Sequence, residues 1–452
     1  MTRLLVLLSC LAVVGCRGGD PEATPPADGV SPAEAVSPVE VATADAPRSA
    51  EPDASDAEPG LPEVHGRLTN VGGQKVLHVW GTPREMGHAH GALLRDGIIE
   101  VFDQYALKVI PPATVASAGV VYGTVADVPQ VLRDEAEGII AGMKQAGGAE
   151  VSGLGRSLTA NDLLLINAMT DLLSVGCSSV SAWGQSTAQD AELNGNAVVV
   201  RNLDWSDDDA LLRNQVLIAF EPSDPTRQPV LSVAFAGYIG CLSCINEAGV
   251  TALFNMGYGD GAAELGELMG GFAPANLLLR DTMERRDVDL DGVSSAADVE
   301  AALRAKKHAG SYILHVLEPA KLARTLDRAP ARILEVEADG VVARSPIQSD
   351  ALGGNALAAT NHLRGKEGPQ ACSRYSRIER SATRSKQSFN RDGLWALGRS
   401  VRLGSVVHTM LVEPDVRRLT LWLRQPDESQ QSKREPVVHT WDSVLRRTLN
   451  PR

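Results

Sequence analysis

Cys177 follows a glycine and precedes the stretch Arg201-Asn202-Leu203-Asp204-Trp205. A thiol after a small residue, ahead of a β-rich segment carrying an Arg and an Asp, points to a nucleophile unmasked by self-cleavage. Scission of the Gly176–Cys177 bond would give Cys177 a free α-amino group beside its own thiol. With an unperturbed pKa of about 8, that amine can act as a general base near neutrality. The chemistry implied is acyl transfer through a thioester, to water or to an acceptor amine.

The elements around this residue are legible. Thr82-Pro83-Arg84-Glu85 is a capping box with Pro at the first helical position, and it predicts a helix through Met86 to about Lys108. Two more helices are expected, from about Pro129 to Met143 and from Ala160 to about Leu173. After Cys177 the texture changes to short β-type runs at 197–200, 216–220, 230–235, 250–254, 332–336, 405–408 and 419–423. Helices return at 274–285, 296–306 and 374–386. A helix-rich segment followed by mixed strands and helices predicts a layered α+β domain with the nucleophile on an inner strand.

Taken as a set, several motifs resemble one enzyme family. They are Gly81-Thr-Pro-Arg-Glu-Met-Gly87-His-Ala-His-Gly91, Asn167, Gly176-Cys177-Ser-Ser, Arg201-Asn202-Leu-Asp204-Trp205, Asn246-Glu-Ala-Gly through Asn255, Thr360-Asn361-His362 and Ser373-Arg374-Tyr375. The family is the autoproteolytic acyltransferases and hydrolases typified by isopenicillin N acyltransferase. Its members are N-terminal-nucleophile hydrolases, related to choloylglycine hydrolases and acid ceramidase. The resemblance runs from about Val64 to the last strands.

It implies a four-layer αββα sandwich cut into a helical α fragment (64–176) and a catalytic β fragment (177–452) that stay associated. It implies Cys177 as nucleophile, with Arg201 and Asp204 at its thiol and amine. Asn255 is implied as an oxyanion donor, Asn361 as a further Asn at the tetrahedral centre, and Arg374 as a brace. The physics agrees, because a nearby guanidinium favours thiolate and a carboxylate orients an amine. The expected substrate is a small N-acyl compound, with no cofactor for catalysis. A phospholipase-like ester hydrolase on the same fold, or a non-catalytic binding lipoprotein, would carry much of the same pattern.

Outside the nucleophile, Asp287, Asp289, Asp291 and Asp298 occupy positions 1, 3, 5 and 12 of a calcium-loop spacing, with Gly292 at position 6. The segment 287–298 resembles a single dockerin-type loop, and a structural calcium ion is expected in it as an insertion remote from the chemistry. Cys241-Leu-Ser-Cys244 lies in an apolar, strand-like run and has no second pair at zinc spacing, so it is read as two core thiols in preference to a disulfide. His88 and His90, two apart on a helix, face different directions and are expected to be buried or hydrogen-bonded.

The first residues give the compartment. Arg3, the apolar run Leu4 to Val14 and the Val-Val-Gly-Cys16 box read as a lipoprotein leader (1–16), with Cys16 as the lipidated residue. Residues 17–63 are rich in Pro, Ala, Asp, Glu and Ser and form a solvated acidic tether with a reach of roughly 40 Å. Most of the formal net charge of −13 lies there. The acidity argues against nucleic acid as a partner. The chain is therefore expected in a bacterial cell envelope, touching the membrane through its anchor alone.

Overall fold

A computed structural model describes residues 62–168, 176–259, 271–344 and 352–445. The leader, Cys16 and nearly all of the tether lie outside these residues, as does the end of the helix expected to run to Leu173.

Two sheets form the centre. The first contains nine strands. In chain order they are β1 (Gly66–Val71), β2 (Gln74–Gly81), β5 (Gln215–Pro222), β6 (Val230–Phe235), β7 (Ser243–Asn246), β8 (Thr251–Met256), β9 (Tyr312–Leu317), β10 (Ala331–Glu337) and β11 (Gly340–Arg344). They lie side by side in that order, antiparallel except where β2 runs parallel to β5. The second sheet has six strands in the order β12-β3-β4-β13-β14-β15. These are β3 (Gly176–Ala182), β4 (Val198–Asp204), β12 (Ala356–Ala359), β13 (Val406–Glu413), β14 (Arg418–Leu423) and β15 (Val437–Thr440).

Alternation along these strands builds the layers. Val76, Leu217, Leu253 and Ile313 of the first sheet pack with Val199, Leu357, Met410 and Leu421 of the second. Their neighbours Leu77, Ile218, Phe254 and Leu314 point the other way, onto helices α1 (Pro83–Val101), α3 (Gln130–Gln145), α5 (Ala275–Glu284) and α6 (Ala296–Arg304). On the far side Val180, Val198 and Val200 pack against α7 (Ser373–Arg384) and α8 (Arg391–Ser400) through Tyr375, Ile378 and Leu397. The fold is thus α+β, a four-layer αββα sandwich. Both faces of β3 and β4 are buried, so their polar residues (Ser178, Ser179 and Ser181; Arg201, Asn202 and Asp204) are buried with the apolar ones.

The capping box forms as expected: Thr82 accepts from the Glu85 N–H, and Glu85 accepts from the Thr82 N–H. The helix does not continue unchanged to Lys108; after Val101 it becomes a π-helical turn at Phe102–Ala106. A helix not anticipated from the sequence, α2 (Pro112–Val125), precedes α3. The described part of the next helix, α4 (Ala160–Asn167), ends where Asn167 accepts from Ile239 and Gly240 N–H at 2.7 and 3.0 Å, which ties it to the segment after β6.

Helices α1 and α3 meet backbone to backbone. A Cβ on Gly87 would lie 2.0 Å from the Glu135 carbonyl oxygen, and one on Gly91 2.0 Å from that of Ile139. Reciprocally, a Cβ on Gly142 would lie 2.0 Å from the His88 oxygen. Two of the glycines in the motif at 81–91 are therefore packing requirements. Gly91→Ala should cost about 1–3 kcal/mol through overpacking, read as a lowered denaturant midpoint at unchanged m-value. An unchanged midpoint would contradict the close crossing.

Candidate active site

Cys177 is the second residue of β3, between β12 and β4. Odd-numbered residues of this strand face the space between the sheets. Ser179 and Ser181 reach His315 of the opposite sheet, whereas Val180 and Ala182 pack towards α7 and α8. Arg201 sits opposite Ser179 in the ladder and faces the same way. The turn-rich loop between β3 and β4 leaves that register intact.

The Arg201 guanidinium is fully buried. Nη1 donates to Asn255 Oδ1 at 2.8 Å, and Nη2 donates to the Phe254 carbonyl at 2.8 Å and approaches Cys177 Sγ at 3.9 Å. Burial pushes the Cys177 thiol pKa up, and Arg201 is the first influence opposing it. The nearby Asp204 carboxylate pushes in the same direction as burial.

The backbone of Cys177 is held as firmly as its side chain. Its N–H donates to Asn361 Oδ1 at 3.0 Å, and its carbonyl accepts from Arg374 Nη1 at 2.6 Å. Arg374 Nη2 donates to the same Asn361 oxygen at 2.6 Å. Asn361 Nδ2 donates to the Met256 carbonyl at 2.8 Å, and Asn255 Nδ2 to that of Thr360 at 3.0 Å. The two asparagines thereby stitch the end of β8 to the segment after β12.

Asp204 stands opposite Gly176 at the end of the β3–β4 ladder. Its Oδ1 accepts from Leu403 N–H at 2.9 Å, and Oδ2 lies 3.5 Å from Arg374 Nη1. Burial pushes its pKa up to about 6. Gly176 has no room for a side chain, since a Cβ there would come within 2.6 Å of Leu403 Cδ1 and 3.3 Å of Asp204 Cβ. The six polar residues singled out from the sequence, Cys177, Arg201, Asp204, Asn255, Asn361 and Arg374, thus converge on one end of the sandwich.

Sequence reading did not pick out Tyr258 and named His362 only within the Thr360-Asn361-His362 motif; the two flank this end. Their rings meet edge to face at 5.6 Å, and Tyr258 N–H donates to the Asn361 carbonyl at 2.7 Å. Tyr258 is 45% exposed, the largest aromatic surface beside the site. The available signal was its position two residues past Met256, at the strand end that carries Asn255. Cys372, a free thiol, contacts Thr360 Oγ1 at 3.7 Å.

Elsewhere the expectations fare unevenly. Cys241 and Cys244 are joined in a disulfide with Cα atoms 5.7 Å apart, which corrects the reading as core thiols. The run is not one strand: Cys241 lies in the bend before β7, and the bend turns the two side chains together. His88 bonds Gln145, whereas His90 accepts from Gly237 N–H at 3.0 Å. Carboxylate oxygens of Asp287, Asp289 and Asp291 lie within 4.8 Å of one another. Asp298 is not in that group; it caps α6 and accepts from Ser295, Val288 and Asp289 N–H.

No protein-family model matches the chain. A Dictyostelium discoideum protein, dcd1B, is 26% identical over 205 residues, spanning 40% of this chain and 38% of that protein. The chain thus matches less than half the length of this curated relative. Among solved structures it is similar to a Caenorhabditis elegans N-acylethanolamine-hydrolyzing acid amidase ortholog, at 14% identity and a TM-score of 0.39, covering 53% of this chain and 93% of that one. It is also similar to a penicillin V acylase from Agrobacterium tumefaciens, at 13% identity and a TM-score of 0.36, covering 60% and 89%. A conjugated bile acid hydrolase variant from Clostridium perfringens matches at 13% and 0.33, covering 58% and 97%.

The geometry at Asp204 has a measurable consequence. Its folded pKa of about 6 lies above the usual carboxylate value, so burying the charge costs stability above about pH 6 and nothing below about pH 4. Asp204→Asn should therefore stabilise the fold by on the order of 1–3 kcal/mol at about pH 7.5. Denaturant titrations at about pH 4 should show no such gain. A gain of equal size at both pH values would refute a buried, ionising Asp204.

Proposed function

We propose that the chain is a self-processing N-terminal-nucleophile amidohydrolase that works through an acyl-thioester on Cys177. The observation that carries this reading is the double grip on one residue. The thiol lies beside the buried Arg201, while the backbone nitrogen of the same residue is held by Asn361.

In the intact chain the thiol loses its proton and Sγ attacks the Gly176 carbonyl carbon. The C–N bond to Cys177 breaks, the nitrogen takes up the proton, and a thioester links Gly176 to Sγ. Water then hydrolyses the thioester, which frees the Gly176 carboxylate and restores the thiol. The new α-amine remains beside Asn361 Oδ1 and can take the thiol proton in each later turnover. Attack on an N-acyl substrate forms the acyl-thioester and passes that proton to the departing amine. Water closes the cycle, or an acceptor amine does so in an acyltransferase. The second N–H of Asn255 Nδ2 is a neutral donor suited to the oxyanion, a contribution of about 3 kcal/mol where such donors have been removed.

The reading extends to an exported, lipid-anchored protein. The leader and Cys16 support it, and so does the Cys241–Cys244 disulfide, since such bonds persist in oxidising compartments. The three grouped carboxylates of the 287–291 segment support a structural calcium ion there.

Purified wild type should run on a denaturing gel as two fragments meeting at residue 177 by mass spectrometry, and Cys177→Ala as one intact chain. An intact wild type that is folded and stable would overturn the self-processing reading and favour a non-catalytic binding lipoprotein. Fragments that cleave esters but no amide would favour the lipid-hydrolase alternative. For the loop, added calcium should raise the melting temperature of wild type but not of the double variant Asp287→Ala, Asp291→Ala. No rise in wild type would remove the ion.

A further inference from the structure

The space between two packed sheets is ordinarily filled with aliphatic side chains, and here much of it is. Beside the nucleophile it is not. Ser179 and Ser181, the next two residues of β3 that face inward after Cys177, both point at one imidazole on the opposite sheet. His315, in the middle of β9, lies with Nδ1 2.8 Å from Ser179 Oγ and Nε2 2.8 Å from Ser181 Oγ. All three residues are essentially without solvent exposure. One ring nitrogen donates, the other accepts, and the hydroxyls supply the complementary roles, so both polar ends of the ring are satisfied by a single strand. Burial holds the imidazole pKa near 3, which keeps the ring neutral and able to play both roles.

This pairing is a vernier. Inward-facing residues of a strand repeat at about 6.6–6.8 Å. A slip of β3 by one such repeat would carry Ser181 past the ring and bring Cys177 towards the place of Ser179. At least one buried nitrogen would then lose its partner, and a buried polar group without a partner is costly. His315 is itself fixed in its sheet, paired across to Leu253 on β8 and Ile333 on β10. Since β8 also carries Phe254 and Asn255, the ring measures β3 against the same strand that receives Arg201.

We infer that His315 is a positioning residue, which through Ser179 and Ser181 sets the longitudinal register of the nucleophile strand against the sheet that carries Asn255. The inference rests on the reading of Cys177 as nucleophile. A displacement of about 1 Å at a reacting atom commonly costs up to about a hundredfold in rate, so the expected effects are large.

The test compares His315→Leu, His315→Gln, Ser179→Ala, and the triple variant Ser179→Ala, Ser181→Ala, His315→Leu. It follows the half-time of processing at residue 177 alongside the melting temperature. His315→Leu should lower the melting temperature and slow processing about tenfold or more. The triple variant removes all three polar partners together, so its melting temperature should return towards wild type while processing stays slow. The Gln carboxamide presents a donor and an acceptor about as far apart as the ring nitrogens and should recover part of the rate. Ser179→Ala leaves one ring nitrogen without its partner and should slow processing measurably, with a smaller fall in melting temperature than His315→Leu.

Processing of the triple variant at the wild-type rate would reduce the trio to a satisfied polar core and overturn the inference. Wild-type rates in both His315→Leu and Ser179→Ala would do the same. A wild-type chain that never processes would sink the nucleophile reading separately. The register would then be judged by iodoacetamide alkylation of buried Cys177, expected to be about tenfold faster in the triple variant than in wild type. Equal alkylation rates would overturn the inference.

Discussion

Everything at the Cys177 end of the sandwich depends on one buried guanidinium crossing between the sheets. Arg201 leaves β4 of the six-stranded sheet and gives its hydrogen bonds to Phe254 and Asn255 of the nine-stranded sheet. A charge without solvent contact is tolerable only if its donors find partners, and those partners fix the distance between the layers at this end. Cys177 gains from this arrangement without carrying its cost. The carboxamide and the carbonyl take up Nη1 and Nη2, and the cation remains beside the sulfur as an electrostatic neighbour. Removing Asn255 would thus disturb the thiol through Arg201 as well as through any direct contact.

Other polar side chains also cross the inter-sheet space, and the buried histidines there are kept neutral. His408 lies 3.2 Å from Ser243 Oγ across the sheets, with burial and Arg201 both holding its pKa well below the usual value. Arg344 reaches from β11 to the Ala358 carbonyl on β12 at 3.1 Å, and it pairs with Glu335 at 2.8 Å. Polar contacts of fixed geometry specify how one sheet sits on the other more sharply than aliphatic packing, which tolerates sliding.

How much of this was legible in the sequence depends on the physical range of each signal. Local signals read well: the Thr82–Glu85 capping box and the strand at 230–235. Arg201 and Asp204 were read as neighbours of Cys177, and the ladder sets them opposite Ser179 and Gly176 on its strand. Asn361 and Arg374 were reached through resemblance, because nothing in their own neighbourhoods says that their side chains meet at the backbone of a residue almost two hundred positions earlier. The sequence was silent where the determinant is a crossing of chains. His315 sits in a strand not anticipated at all, and its meaning appears only when Ser179 and Ser181 are brought against it. The disulfide was misread because Cys241-Leu-Ser-Cys244 is as apolar as a strand, and the bend before β7 is imposed by tertiary context.

The glycine crossing of α1 and α3 has a mechanical meaning. Where two helices touch through their backbones, no intervening layer of side chains can shear or repack, so a force on one helix is passed to the other undiminished. The crossing couples the first half of α1, before its non-helical residue Leu94, to α3. Compliance must then sit beyond the crossing, at Leu94 and in the π-helical turn at Phe102–Ala106, whose Tyr105 hydroxyl accepts from the Trp205 indole at 2.6 Å, one residue past Asp204. Bending of the helical layer beyond the crossing would therefore be felt at the strand end that holds the site, through Tyr105 and Trp205.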